Sequence, residues 1–419
     1  MATQKKVVNP GKAGTKQVKK TAVKKTSKVS TGNVLRFSHP FYTNVPVNQR
    51  KAVPGIGIRM NDYVATKLEQ IPPPLRDPSM SLAEIIGNDG VMQIQNAGVI
   101  TFHATGDTGN DNSDWTTHVS DAMSVDYNAG NSAMSPAFLF HLGDVDYYEN
   151  TDQGYHAQFY EPYKKYPGKI IAIPGNHDGE LYKWNNAPTG QKTTLEAFMR
   201  NFCQPKPGVP PAAGTIYREM ISQPGVYWVL DAPFLTIIGL YSNIAEGQGF
   251  ISAKSIGQSQ KNWLVNTLTG IKKERDAGNR KALIIAVHHP PYSNGGHEPS
   301  TLMLNDIDDA CNKAKIYPDA LMAAHAHSYQ AYTRYNNNME VPFTVNGCGG
   351  RGLQPPVAAD GKRHRDVSYD KSYNGYGFQL ITVTKNNLTL EFYTVNDQGT
   401  KTLFDKIVVD LSTNKLVKN

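Results

Sequence analysis

Five short apolar segments of this sequence each end in side chains that can bind a metal ion or move a proton. Carboxylate and amide oxygens mixed with imidazole nitrogens suit ions such as iron, zinc and manganese. A single histidine after a strand is more often structural than a ligand, so the repetition is what carries weight. The segments, with the polar residues at or after their ends, are 98–104 with Asp107, 136–142 with Asp144 and Tyr147, 168–173 with Asn176 and His177, 282–288 with His288 and His289, and 318–324 with His325 and His327.

The apolar segments read as buried strands that alternate with longer amphipathic, helix-like stretches. Alternation of this kind is typical of an α/β layered fold. The carboxyl ends of parallel strands meet at one edge of a sheet, where sites of α/β proteins form. The sequence therefore predicts that the polar residues converge on one binuclear metal site. The predicted helices lie near 113–128, 152–165, 192–202, 256–277 and 300–315.

The C-terminal part of the chain has a different pattern. The runs "YGFQLITVT", "LTLEFYTV" and "KIVVDL" are strand-like and are separated by the turn-like pieces "KNN" and "NDQG". Short turns of this type join antiparallel strands. We expect an antiparallel portion to complete the sheet.

The positive charge of the protein is concentrated at its N-terminus. The whole chain carries a formal charge of +7, yet residues 1–61 contain ten Lys, three Arg and no acid, which leaves −6 for the remainder. The repetitive stretch within 1–31 has little to bury, so we predict a disordered Lys-rich tail there. Two roles are equally open for it: non-specific contact with nucleic acid or another polyanion, or solubilisation. We predict a Pro-rich lead-in packing on the core over 32–96 and a catalytic domain over 97–419.

Length and composition narrow the class of protein. The chain has 419 residues, 39% of them hydrophobic, which is enough for a large core. It lacks an apolar run of the roughly 18–20 residues that a membrane span needs. The three cysteines are widely spaced and odd in number, and fit neither a disulfide framework nor a CxxC metal site. We expect a cytoplasmic location and no membrane partner.

The ordered series D-x-G, G-D-x-x-Y, G-N-H-D, H-x-P and H-x-H resembles the calcineurin-like metallophosphoesterases, over roughly residues 97–395. The resemblance implies a sandwich of two mixed sheets flanked by helices, with the metal site at the carboxyl ends of the strands. Most of that superfamily has D-x-H as its first motif. The purple acid phosphatase branch has Gly in place of this His and takes a Tyr from the second motif. Gly109 and Tyr147 match both departures, so the sequence most resembles that branch.

The resemblance also implies a set of metal ligands. A phenolate ligand favours a ferric ion at the first metal, with Fe(II), Zn, Mn or another divalent ion at the second. His288 fits the H-x-P pattern better than His289 does. One departure is Ala324, where the family usually has Gly. The implied ligands are Asp107, Asp144, Tyr147 and His327 for the first metal, and Asp144 as a bridge with Asn176, His288 and His325 for the second.

The implied activity is hydrolysis of phosphoric esters, most of all acid phosphatase-like cleavage of monoesters. Two metal ions hold the ester and generate a hydroxide that attacks phosphorus in line. His177, positioned by Asp178, and His297 are candidate donors of the proton to the leaving group. Two other functions stay open: a phosphodiesterase acting on nucleic acid or cyclic nucleotides, and a non-enzymatic polyanion-binding protein. Arg351, Lys362, Arg363 and Arg365 are candidate contacts for an anionic substrate, although solvated loop charge is the commoner role of such residues.

Overall fold

Two mixed β-sheets face each other across a shared apolar core in the computed structural model. It describes residues 68–109, 114–128, 131–183 and 186–418. The predicted tail at 1–31 and the first part of the predicted lead-in, 32–67, lie outside the described residues. The strands are β1 Ser79–Ser81, β2 Val99–Thr105, β3 Phe138–His141, β4 Lys169–Ala172, β5 Trp228–Ala232, β6 Leu235–Gly239, β7 Ala282–Ala286, β8 Ala320–Ala323, β9 Tyr329–Asn336, β10 Met339–Asn346, β11 Arg363–His364, β12 Val367–Tyr373, β13 Gly377–Thr384, β14 Asn387–Val395, β15 Lys401–Asp410 and β16 Lys415–Leu416.

Helices flank both sheets. In the ranges that the structure describes, no helix is long and apolar enough to cross a bilayer. The helices are α1 Ala83–Ala97, α2 Trp115–Ser124, α3 Asp152–Tyr155, α4 Glu161–Tyr163, α5 Asn176–Gly179, α6 Glu196–Phe202, α7 Ser259–Asp276 and α8 Thr301–Ala314, with a π-helical turn His156–Tyr160 between α3 and α4 and 3-10 turns at Ser132–Met134 and Pro211–Ala213.

Parallel strands form the centre of the longer sheet and one side of the shorter sheet, and antiparallel strands complete both. The described strands of one sheet run in the order β1-β5-β6-β7-β8-β10-β9-β12-β11, and those of the other in the order β16-β15-β14-β13-β2-β3-β4. β6, β7, β8 and β10 are mutually parallel, as are β2, β3 and β4. Central parallel strands are covered on both faces, which explains their continuous apolar runs.

The main core lies between the two sheets. Side chains such as Phe102 and Phe140 from one sheet pack with Ile237 and Ile284 from the other. The outer face of the longer sheet is covered by α7 and α8, and a second outer cluster lies against β3 and β4 beneath α2 and the helical segment 152–163. This layered arrangement confirms the predicted α/β sandwich. It leaves the ends of the strands as the place where loops can build a site.

Agreement with the sequence-based elements is close for the strands that carry the motifs. The antiparallel C-terminal portion, β13 to β15, is also confirmed. For the predicted lead-in, 32–96, no helix or strand was predicted from the sequence. There β1 pairs in parallel with β5, and α1 buries Ile85 and Ile94 in the core between the sheets. The domain boundaries themselves stay predictions.

Candidate metal centre

Three of the predicted ligands lie in the left-handed region of backbone conformation, directly after their strands. Asp107, Asp144 and His325 have φ values of 55°, 57° and 66°. Residues with a side chain rarely adopt such angles, and they concentrate at functional sites. Each strand end therefore turns sharply at the residue that it delivers. The turns are joined to one another, since the Asp107 amide donates to the carbonyl of Gly143 at 3.0 Å and the His325 amide donates to Asp107 Oδ2 at 2.7 Å.

A side chain at position 109 and the ring of Tyr147 would compete for the same space. A Cβ atom at position 109 would overlap Cδ2 of Tyr147 and would lie 2.9 Å from Oε1 of Gln158. The φ angle of Gly109 is not positive, so close approach is what requires glycine here. A histidine at 109 and a tyrosine ring at 147 could not both be accommodated in this arrangement. The paired departure noted in the sequence thus has a steric basis.

Asp107, Tyr147 and His327 bring their donor atoms together; we call these three residues the tyrosine half of the site. Tyr147 Oη donates to Asp107 Oδ1 at 2.9 Å and lies 3.1 Å from His327 Nε2. His327 Nδ1 donates to the Gly352 carbonyl at 2.6 Å, which leaves Nε2 as the nitrogen that faces the other two groups. Burial and the charges of Asp107 and Asp144 hold the pKa of Tyr147 well above its usual range.

Asn176, His288 and His325 converge beside Asp144; we call these three residues the amide half. His288 Nδ1 donates to the Leu142 carbonyl at 2.9 Å, and its Nε2 lies 3.2 Å from Asp144 Oδ2 and 3.2 Å from Asn176 Oδ1. His325 Nε2 donates to a backbone carbonyl at 3.0 Å, which leaves its Nδ1 for a ligand. One ligand atom from each of Asp144, His288 and His325 falls within 4.8 Å of the others.

The buried polar atoms of this site fit a pair of bound cations. Asp144 Oδ2 is buried and accepts no hydrogen bond from the residues that the structure describes. It faces His288 Nε2 at 3.2 Å, and a contact of this kind needs either a second imidazole proton or a bound cation between the two atoms. Although burial disfavours the charged imidazole, Asp144 and Asp107 raise the pKa of His288 to about 9. Imidazoles that donate one N–H to a backbone carbonyl and present the other nitrogen are typical of metal ligands. The donor set therefore fits metal ions.

His289 is committed to a different set of contacts. Its Nδ1 lies 2.7 Å from Ser242 Oγ, and its Nε2 donates to the Ala245 carbonyl at 2.6 Å. Both ring nitrogens are thus used in hydrogen bonds. This geometry favours His288 over His289 as the ligand.

Ala324, the departure before H-x-H, is accommodated by a glycine opposite. A Cβ atom at Gly106 would lie 2.6 Å from the Ala324 methyl group. The methyl group fits because position 106 carries no side chain. The His-x-His turn that follows keeps its hydrogen bond to Asp107.

The predicted role of Asp178 in positioning His177 is wrong. Asp178 is buried and accepts backbone hydrogen bonds from Gly175 at 2.8 Å, from Asp144 at 2.9 Å and from Val145 at 3.1 Å. It thereby ties the second motif to the third. His177 is held instead by Glu180, whose Oε2 lies 2.9 Å from Nδ1.

Both predicted proton donors line a cavity of about 330 Å³ above the ligands. Nε2 of His177 lies 3.8 Å from Glu246 Oε2. Burial opposes its charged form, yet Asp144, Glu180 and Glu246 raise the pKa of His177 to about 9. His297 stacks on His325 with ring centroids 3.9 Å apart, and burial lowers the pKa of His297 to about 4. The two histidines therefore occupy opposite electrostatic environments.

Several residues around the centre carried no recognisable signal in the sequence. Gln158 accepts from the Tyr147 amide at 3.0 Å and donates to Asp146 Oδ1 at 2.8 Å, which fixes the loop that carries Tyr147. Glu246 Oε2 accepts a hydrogen bond from the side-chain Nδ2 of Asn176 at 3.2 Å. With His177, the carboxylates of Glu180 and Glu246 form a further cluster with metal-compatible spacing. These residues come from segments far apart in the chain, so motif spacing could not have found them.

Comparison with known proteins supports this description. The family model for calcineurin-like phosphoesterases matches residues 100–329. Among solved structures, GAP50, the anchor in the inner membrane complex of Plasmodium, is 14% identical with a TM-score of 0.50 and covers 74% of this chain and 87% of its own. PhoD is 12% identical with a TM-score of 0.46, covering 83% of this chain and 73% of its own. A dimetal phosphatase from Danio rerio is 10% identical with a TM-score of 0.42, covering 74% of this chain and 99% of its own.

At such low identity, the likeness to GAP50 shows a shared fold. No curated protein matches this chain at a significant level. The family model carries the assignment, because the 230 residues it covers are more than half of the chain. The chain belongs to the calcineurin-like phosphoesterase family and is a metal-dependent phosphoester hydrolase.

Proposed function

We propose that the protein is a phosphomonoesterase of the purple acid phosphatase type, with a ferric ion at the tyrosine half and a divalent ion at the amide half. The steric exclusion between Gly109 and Tyr147 is the observation that carries this proposal. The phenol takes the place that a histidine at 109 would need, and its oxygen lies within 3.1 Å of two other predicted ligands. Packing alone would not require the oxygen to point there.

The residues divide the work of binding. Asp107, Tyr147 and His327 would hold the first ion, and Asn176, His288 and His325 the second. Asp144, whose Oδ1 accepts from the His177 backbone amide at 3.0 Å and whose Oδ2 accepts no hydrogen bond from the described residues, would serve both ions. When bound, the two metal ions activate water and neutralise charge that develops on the phosphoryl oxygens. The left-handed turns at Asp107, Asp144 and His325 fix the ligands before substrate arrives, which limits reorganisation during the reaction.

His177 is the proposed donor of a proton to the leaving group. Its Nδ1 is bound to Glu180 and its Nε2 faces the cavity near Glu246, so the ring is oriented with one nitrogen toward the substrate space. A positioned general acid contributes about 10²–10⁴-fold to the rate. His297 is held by Gln354, whose Nε2 lies 3.0 Å from the imidazole Nε2, and by stacking on His325. We assign His297 to positioning the phosphoryl group.

The test begins with metal analysis and a visible absorption spectrum of the same purified sample. We expect two metal ions per chain, one of them iron, and a broad tyrosinate-to-iron charge-transfer band. The band should vanish in Tyr147→Phe and persist in Tyr148→Phe, a matched control because Tyr148 lines the same cavity. A colourless protein with two divalent ions would contradict the ferric assignment.

Substrate assays then separate the two ester classes. We expect para-nitrophenyl phosphate to be hydrolysed faster than bis(para-nitrophenyl) phosphate. The reverse preference, with salt sensitivity lost on deleting residues 1–31, would instead support a nucleic-acid phosphodiesterase. Contact of the tail with polyanions and a cytoplasmic location stay predictions.

A further inference from the structure

The glycine-rich loop 347–352 is built into the site by its backbone. The Arg351 amide donates to the Asp107 carbonyl at 2.9 Å, and the Gly349 amide donates to the Gly106 carbonyl at 3.0 Å. A Cβ atom at Gly347 would lie 2.5 Å from Asp107 Oδ2. The loop can approach the first motif this closely only because these positions are glycine. Arg351 is thereby fixed at a defined distance from a predicted metal ligand.

The side chain of Arg351 lies beside the tyrosine half. Its Cζ is 4.3 Å from the centroid of the Tyr147 ring and 5.3 Å from that of Tyr148. Its Nη2 lies 3.4 Å from the Tyr148 hydroxyl. Two aromatic rings thus hold the planar guanidinium group next to the atoms that would bind metal, which limits the conformational freedom lost on binding an anion.

Arg351 is the only lysine or arginine among the described residues that line the 330 Å³ cavity. The carboxylate of Glu246 also lines this cavity and contacts Asn176 and His177. The cavity therefore has a fixed positive group near the tyrosine half and a negative group near the amide half. Such a distribution gives a bound anion a preferred orientation.

We propose that Arg351 binds the non-bridging oxygens of the substrate's phosphoryl group and selects phosphomonoesters over phosphodiesters. This inference rests on the proposed function and deepens it. A monoester dianion presents two charges and unsubstituted oxygens, which suit the paired N–H donors of a guanidinium group. A diester carries one charge, and its second substituent occupies an oxygen that would otherwise meet the arginine. Arg351 consequently contributes more to binding the monoester.

The test uses Arg351→Gln and Arg351→Lys in the metal-loaded, full-length protein. The readout is calorimetric titration with inorganic phosphate, together with kcat and KM for para-nitrophenyl phosphate and its bis-ester. We expect Arg351→Gln to weaken phosphate binding and raise the monoester KM by about 10–100-fold, the range of a lost charge-assisted hydrogen bond. The bis-ester should change far less. Arg351→Lys keeps the charge without the fork and should fall between.

Lys362, Arg363 and Arg365, the other candidate anion contacts named from the sequence, do not line the cavity. Arg363 is exposed and stacks on Tyr335 with Cζ 3.7 Å from the ring centroid, so Arg363→Gln is the matched control for loss of the charge. It should leave phosphate affinity and both KM values unchanged. Unchanged phosphate affinity in Arg351→Gln would overturn the proposal. So would an equal loss for both esters accompanied by lower metal content or a lower Tm, since that pattern indicates a structural role beside Tyr147.

Different results would overturn the proposed phosphomonoesterase function and the proposed role of Arg351. If the wild-type protein hydrolyses neither ester, the proposed function fails, but the phosphate titration still reports on Arg351. Phosphate binding that depends on Arg351 would support an anion subsite in that case. A wild-type protein that binds no phosphate would overturn the role of Arg351 directly.

Discussion

The tyrosine half and the amide half of the site use the same strand-end turns but are fixed in different ways. In the tyrosine half, the phenol of Tyr147 occupies space that exists only because residue 109 is glycine. In the amide half, His288 and His325 are each oriented by one hydrogen bond to a backbone carbonyl. His327 in the tyrosine half is oriented in the same way by the Gly352 carbonyl, so what distinguishes the tyrosine half is the added requirement for volume at position 109.

The largest expected effect comes from removing a proposed ligand of the amide half. His288→Ala leaves Asp144 Oδ2 facing empty space in a buried pocket, and we expect kcat to fall about 1,000-fold or more because a metal-dependent charge stabilisation is lost. The measurement is steady-state hydrolysis of para-nitrophenyl phosphate with metal content determined on the same sample. The circular dichroism spectrum should stay native.

His289→Ala is the control for this change, since it removes the neighbouring imidazole. His289 binds Ser242 and the Ala245 carbonyl, so its loss should lower stability while turnover by the folded fraction falls far less. Equal losses of turnover in His288→Ala and His289→Ala would mean that His288 has no special role in the amide half. The assignment of His288 as the ligand would then be withdrawn.

A side chain introduced at position 109 should disrupt the tyrosine half by steric conflict. Gly109→Ala places a methyl group against Cδ2 of Tyr147 and Oε1 of Gln158, and overpacking of this kind costs about 1–3 kcal/mol of unfolding free energy. In a Tyr147→Ala background the ring is gone and the same substitution should cost little. Urea unfolding of the wild type, both single variants and the double variant gives the coupling energy.

If the losses of unfolding free energy in Gly109→Ala and Tyr147→Ala simply add up in the double variant, the steric account is wrong. The visible spectrum adds an independent reading, because Gly109→Ala should also weaken any tyrosinate-to-iron band by displacing the phenol. His288→Ala, in contrast, leaves the contact between Gly109 and Tyr147 intact. The two halves would then be separated by their responses: coordination in one, packing in the other.

The motif residues were predictable because each follows an apolar strand, and parallel strands of one sheet end at the same edge. That rule groups Asp107, Asp144 and Asn176 after β2, β3 and β4, and it groups His288 and His325 after β7 and β8. The two groups belong to different sheets, and only the packing of the sheets brings them together. The rule could not place Glu246 or Arg351, which reach the cavity from loops whose paths depend on tertiary packing. The role of Asp178 was misassigned because adjacency in sequence to His177 was taken as contact, whereas its carboxylate turns toward the backbone of the second motif.

The fold was predictable to a similar depth. Long apolar runs such as β7 were found within a few residues of their bounds, because strands buried on both faces have continuous hydrophobic sequence. The helix α1 was missed because it begins soon after a Pro-rich stretch and contains Gly87 at φ 75°, a non-helical angle. Burial of Ile85 and Ile94 in the core between the sheets helps to stabilise it as a helix. Tertiary contacts override local propensity at such positions.

The smallest expected effect lies outside both halves and tests whether stability and chemistry can be separated. His103 on β2 is fully buried, with Nδ1 2.9 Å from the Tyr166 hydroxyl and Nε2 3.0 Å from Asp126 Oδ2. Burial lowers the pKa of His103 from 6.5, opposed by Asp126 and assisted by Lys401. Contacts to His103 and Lys401 overcome burial and lower the pKa of Asp126, so that carboxylate stays ionised at mildly acidic pH.

The sign of the pH dependence follows from which state binds the proton first. Below about pH 6.5 the unfolded chain protonates His103 while the folded protein does not, so wild-type stability should fall with decreasing pH, by at most about 1.4 kcal/mol per pH unit for one group. The His103→Gln variant lacks the titrating imidazole, so its unfolding free energy, measured with urea, should depend less steeply on pH between pH 7 and 5. The other buried histidines are common to both proteins, so the difference between the two slopes reports on His103. A wild-type stability that rises on acidification relative to the variant would mean that His103 becomes charged against Asp126 in the folded state. Because His103 contacts neither half, its effect should appear in the unfolding free energy and leave kcat at neutral pH unchanged, which distinguishes a residue that supports the sheet from those that the sheet positions.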